Sequence, residues 1–73
     1  MKYYEHDNVI YRADIPKGWK IPVVNAYIRD GKWCDVTPRQ RTDARTWGTP
    51  MTEAEAKDFQ GDGWPAEEPE PVQ

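Results

Sequence analysis

Cysteine is almost missing from this chain, with Cys34 alone among 73 residues. One thiol closes no internal disulfide, and Cys34 with the single histidine, His6, is too little for a structural zinc site. Long apolar runs are missing as well. Nothing approaches the roughly 20 residues that cross a bilayer, and the opening Met-Lys-Tyr-Tyr-Glu-His-Asp has no apolar signal core. The expectation is a soluble protein made in the cytoplasm, a compartment that a lone cysteine also suits. No phosphate-cradling glycine loop, dinucleotide fingerprint or metal-ligand spacing occurs. A strong basic balance is missing too. The net charge is −3, whereas a nucleic-acid-binding domain carries a basic footprint.

These gaps bear on chemistry. His6 falls beside an expected turn and reads as a solvent-facing strand-end residue rather than a general base. Cys34 falls mid-strand, the setting of a structural thiol rather than a nucleophile. The carboxylates are scattered or terminal, so no acid/base pair is in prospect. The sequence therefore points to no catalytic residues, no cofactor, no metal and no small-molecule substrate. The protein is expected not to be an enzyme.

What is present is aromatic. Four Trp, four Tyr and one Phe supply the bulk that a small, unstapled domain needs. A chain of this size buries only about 60% of the surface its unfolded form exposes, and each aromatic side chain buries roughly 150–250 Å². The central stretch is 23–37, two β-prone runs around Asp30-Gly31. Asp-Gly suits a type I′ turn, which requires φ > 0 at both central residues. That register sets Ile28 against Trp33, Ala26 against Asp35 and Val24 against Thr37 on one face, with Tyr27 and Cys34 on the other. A first hairpin spans 2–13 around Asp7-Asn8, with Tyr4 opposite Tyr11 and Tyr3 opposite Arg12. It places Tyr4, His6, Val9 and Tyr11 on one face.

Between the hairpins, Pro16 suits the second position of a type I turn over 15–18, and 19–21 begins a third strand. Residues 39–46 are polar without a period and read as a basic loop, with a short strand at 44–47. Thr52-Glu-Ala-Glu55 is a capping box. A short helix is expected from Thr52 to about Gln60, ended by Gly61, with Phe59, Met51 and Ala56 docked on the sheet. Residues 66–73, Ala-Glu-Glu-Pro-Glu-Pro-Val-Gln, have disorder-prone composition. Charge divides accordingly: residues 1–50 carry net +3 and residues 51–73 net −6. The fold class is α+β, mainly β: an antiparallel meander of three to four strands, one short C-terminal helix and an extended acidic tail. The domain spans 1–65 and the tail 66–73.

Tyr3-Tyr4 with Val9-Ile10-Tyr11-Arg12, Gly31-Lys32-Trp33 and Met51-Thr-Glu-Ala-Glu-Ala56 resembles small bacteriophage-encoded proteins. Those open with a Tyr-rich hairpin and close on a short Ser/Thr-Glu-x-Glu-Ala helix. The resemblance implies a virion or accessory component, made in the host-cell cytoplasm and, if a virion component, carried into the virion. It transfers no catalytic residue.

The expected function is surface docking on another protein or on copies of itself. Tyr27, Arg41 and Trp47 are the contacts from the body, and Trp64 leads into a tail whose Glu67, Glu68 and Glu70 form an arm. Trp, Tyr and Arg dominate interface hot spots, and Glu-Pro-Glu-Pro favours an extended backbone that loses little entropy on binding. Against this stands the plainer possibility that each Trp anchors its own segment to the core. One alternative is inhibition of a host enzyme, with the acidic tail entering a basic groove. Another is nucleic-acid contact through Arg39, Arg41 and Arg45, beside Arg29 and Lys32; the acidic balance disfavours it. No membrane partner is expected.

Overall fold

A computed structural model describes residues 2–65. Five antiparallel strands form one sheet: β1 (Lys2–His6), β2 (Val9–Asp14), β3 (Val23–Arg29), β4 (Lys32–Asp35) and β5 (Thr49–Met51). The first four make a meander. β5 joins the far edge, giving the order β4-β3-β2-β1-β5. Two helices complete the fold, α1 (Pro38–Trp47) and α2 (Glu53–Gln60), followed by a 3₁₀ turn, Gly61–Gly63. The α+β, mainly β class holds, with one strand and one helix more than the sequence suggested.

Both hairpins form on their expected residues. Asp7 and Asn8 take φ of 57° and 65°, and Asp30 and Gly31 take 54° and 72°, as I′ turns demand. Tyr4 then pairs with Tyr11 and Tyr3 with Arg12. Ile28 pairs with Trp33, Tyr27 with Cys34 and Ala26 with Asp35. Val24 does not reach Thr37, because β4 stops at Asp35 and β3 carries a bulge. Arg12 faces Ala26, but Ala13 faces Val24, which leaves Asn25 as the extra residue. Its side chain holds the irregularity. Asn25 Nδ2 donates to Asp14 Oδ2 at 2.9 Å, and Arg12 Nε donates to Asn25 Oδ1 at 3.4 Å. The bulge turns Val24 onto the same face as Ala13 and Tyr11.

Each face of the sheet has its own core. On one, Tyr3, Ile10 and Ile28 meet Ala56 of α2, with Trp33, Met51 and Trp64 packed around them. On the other, Tyr11, Ala13 and Val24 meet Ala44 of α1, with Tyr4, Val9, Tyr27 and Val36 around them. Each helix has one buried residue, an alanine. A methyl group lets a helix approach the sheet closely, so aromatic rings can fill the flanks. The chain holds no leucine, and among the described residues only Ile10 and Val24 are large side chains buried completely.

Four expectations are corrected. Residues 39–46 are not a loop and 44–47 not a strand, because helix α1 runs through both. Thr37 caps it, accepting from the Gln40 N–H at 3.1 Å, while Gln40 Oε1 accepts from the Thr37 N–H at 2.8 Å. Pro38 occupies the first turn, where its missing N–H costs nothing. The second correction is the turn at 16–19. Its bond runs from Trp19 N–H to Pro16 O at 2.9 Å, and Gly18 takes φ 85° at the third position, as type II requires. Third, 19–21 lies outside any strand, since Gly18 and Pro22 bracket it. Fourth, α2 keeps its expected span and capping box, yet Phe59 stays exposed. Trp64 takes its place over the sheet, lying 5.5 Å from the rings of both Tyr3 and Trp33.

Candidate docking surface

The residues expected to bind a partner separate into three groups. The first, Tyr27, Arg41 and Trp64, serves the fold. Tyr27 is half-buried, its ring 5.9 Å from that of Tyr11 within the core beneath α1. The Arg29 guanidinium donates to the Tyr27 hydroxyl, and that bond pushes its pKa further up. Arg41 turns back under its helix, where Nε donates to the Val24 carbonyl at 3.0 Å. That carbonyl belongs to the bulge, so Arg41 ties α1 to the most irregular point of β3. Trp64 forms an aromatic cluster with Tyr3 and Trp33, crossing Trp33 at 89°. The Arg12 guanidinium covers the Trp33 ring at 4.5 Å and Lys57 approaches Trp64 at 5.8 Å, both favourable against a ring face.

Trp47 is the residue presented outward. It ends α1 with 72% of its surface exposed, although Ala44, three residues earlier, is buried completely. Gly48 explains the arrangement. Its N–H closes the helix on the Ala44 carbonyl at 2.9 Å, and an added Cβ would collide with that carbonyl and lie 3.1 Å from Tyr4 Cβ. The backbone thus presses on β1 at Gly48, which leaves the Trp47 indole no room beneath the helix. Glu67, Glu68 and Glu70 lie outside the described residues, as does the whole of 66–73.

The basic residues of 39–45 do not converge either. They are held differently: Arg41 reaches the Val24 carbonyl, Arg39 pairs with Asp43 at 3.8 Å, and Arg45, one turn beyond Arg41, stands exposed in the last turn. His6 on β1 and Cys34 on β4 are three strands apart in the sheet order, at least about 14 Å. Among the described residues, no three His, Cys, Asp or Glu side chains are placed to hold a metal ion. No helix among them is long and apolar enough to cross a membrane.

No family model, curated protein or solved structure matches this chain. Its surface must therefore be read from its own residues.

The sequence reading missed part of that surface. Ile15, Trp19 and Ile21 are exposed in the connection between β2 and β3. A signal was available. Pro16, Gly18 and Pro22 interrupt any strand there, and a broken backbone cannot present three large side chains to one core.

Proposed function

We propose that this protein is a non-enzymatic docking component that acts through surface contact with another protein or with copies of itself. One observation carries the reading. Of four tryptophans, Trp33 and Trp64 pack into the core, yet Trp47 stands 72% exposed at the end of a helix. A domain this small has little apolar surface to spare for solvent, and tryptophan is the residue most enriched at binding hot spots. Arg45 and Thr46 flank it and are also exposed, as suits the polar surround of such an anchor. The resemblance to bacteriophage virion and accessory proteins supports the same mode of action, because assembly proceeds by docking.

The experiment is the oligomeric state and partner capture of the full chain, beside Trp47→Ala. Light scattering over rising concentration reads self-association against the 8.5 kDa monomer. Affinity capture from infected and uninfected host lysate reads other partners. The expected result is an assembly, or a defined partner, that Trp47→Ala weakens at least about tenfold while leaving the melting temperature unchanged. A monomer with no specific partner overturns the reading, and so does a complex indifferent to Trp47→Ala.

A further inference from the structure

The connection 15–22, Ile-Pro-Lys-Gly-Trp-Lys-Ile-Pro, carries two lysines and no carboxylate. It leaves the sheet where Asp14 pairs with Val23. Trp47 lies at the opposite end, just before Thr49, which pairs with Glu5 near the Asp7-Asn8 turn. Residues 17–21 are exposed without a break, so the connection projects from the body. Of the five large apolar side chains left exposed among the described residues, three are here: Ile15 at 47%, Trp19 at 57% and Ile21 at 43%. At its base a shallow depression of about 420 Å³ is lined by Lys2, Ala13, Asp14 and Ile15, which brings a third lysine to the same end.

Two carboxylates near it keep their charge, Asp14 at its base and the exposed Asp35 opposite Ala26 on β4. Asp14 accepts from Asn25 Nδ2 at 2.9 Å. Glu53 and Glu55 open α2 beyond β5, on the far side of β1. Glu53 pairs with Lys57 at 2.9 Å, and Glu55 accepts from the Thr52 N–H at 2.9 Å. Lys2, Lys17 and Lys20 still outnumber Asp14 and Asp35 at this end, and the connection itself is a cationic projection tipped with apolar side chains.

We propose that this connection docks on the surface of an anionic lipid bilayer. Trp19 sits at the headgroup level, where indoles concentrate. Ile15 and Ile21 enter beside it, and Lys2, Lys17 and Lys20 meet the lipid phosphates. Lysine suits the position, because its stem can lie against apolar material while the ammonium stays in water. An anionic leaflet attracts each such lysine within a Debye length. A protein partner would have to supply a matching hollow for each projecting side chain, whereas a fluid interface closes around a projection of any shape. Surface docking needs no apolar span, so the lack of a membrane-crossing helix among the described residues does not bear on it.

The test uses the full chain with two kinds of vesicle, phosphatidylcholine alone and phosphatidylcholine with about one-third phosphatidylserine. Co-sedimentation and tryptophan emission are the readouts. Expected are binding to the anionic vesicles only, a blue shift on binding, and at least a tenfold loss of affinity between about 50 and 500 mM salt. Lys17→Glu with Lys20→Glu abolishes binding. Trp19→Ala weakens it about tenfold and removes the blue shift, and Trp47→Ala changes neither. All these positions are exposed, and unchanged melting temperatures show that the variants fold. The inference is overturned by equal binding to neutral vesicles, by wild-type binding of Trp19→Ala, or by no vesicle binding. A protein captured through Trp19 in place of vesicles overturns it too.

Discussion

Gly48 shows how one residue fixes the placement of a helix. Its φ of −72° is open to any amino acid, so its need for glycine is one of space. A Cβ there meets the Ala44 carbonyl and Tyr4, both held by the packing around them. Gly48→Ala is expected to destabilise the fold by about 1–3 kcal/mol, the usual cost of overpacking. Urea denaturation checks it, and a stability equal to the parent's would show that α1 does not press on β1. Tyr11 offers a second test. Burial first, then the neighbouring Tyr27, Asp43 and Asp7, push its phenol above the ordinary range. The fold therefore favours the neutral form. That stabilisation is complete below the unfolded value of about 10 and is lost as pH rises through the higher folded value. Thermal melts from about pH 8 to 11.5 should fall less steeply for Tyr11→Phe than for the parent. Equal slopes would mean that the ring titrates as if exposed.

The two helices are close counterparts at the scale of elements, yet only one was legible in the sequence. Both begin on a threonine capping box, Thr37 with Gln40 and Thr52 with Glu55. In α2, the acidic first turn and Gly61 just past its last residue complete the signature. Before α1, the same box with Pro38 in the first turn stood in plain sight. Residues 39–46, however, show no apolar period to mark a helix behind it. The structure gives the reason: Ala44 is the one buried residue of α1, and one alanine makes no stripe. The hairpins were legible for the opposite reason, since Asp-Asn and Asp-Gly state their backbone geometry locally. The bulge at Asn25 was not legible, because it depends on Arg12, Asp14 and Arg41, which approach only in the fold. Thr37→Ala and Thr52→Ala should each cost about 1 kcal/mol, read by urea denaturation. Hydrogen exchange should show the loss confined to the first turn of the helix concerned. A cap that costs nothing on removal would mean that its helix is held by tertiary contacts alone.

The whole molecule is organised by a division among its tryptophans, which the sequence could count but not sort. Trp33 and Trp64 close one core with Tyr3, and their places follow from strand register and from the 3₁₀ turn at Gly61–Gly63 that brings Trp64 over the sheet. Trp19 and Trp47 mark the two opposite ends of the sheet and stand exposed. That division gives different expectations for residues of identical chemistry. A domain of this size is stable by roughly 4–11 kcal/mol. Trp64→Ala opens a void against Tyr3 and Trp33 and should cost about 3 kcal/mol, a large part of the total. Trp47→Ala and Trp19→Ala remove side chains that contribute to neither core, so each should stay within about 0.5 kcal/mol of the parent. Urea denaturation of the three variants under one set of conditions decides it, because the difference expected is severalfold larger than the error of extrapolation. If Trp47→Ala fell with Trp64→Ala, the indole would be packed in solution, and the docking surface proposed at the end of α1 would not exist. If only Trp64→Ala falls, the apolar area at the two ends is surplus to folding and is available for a partner at each.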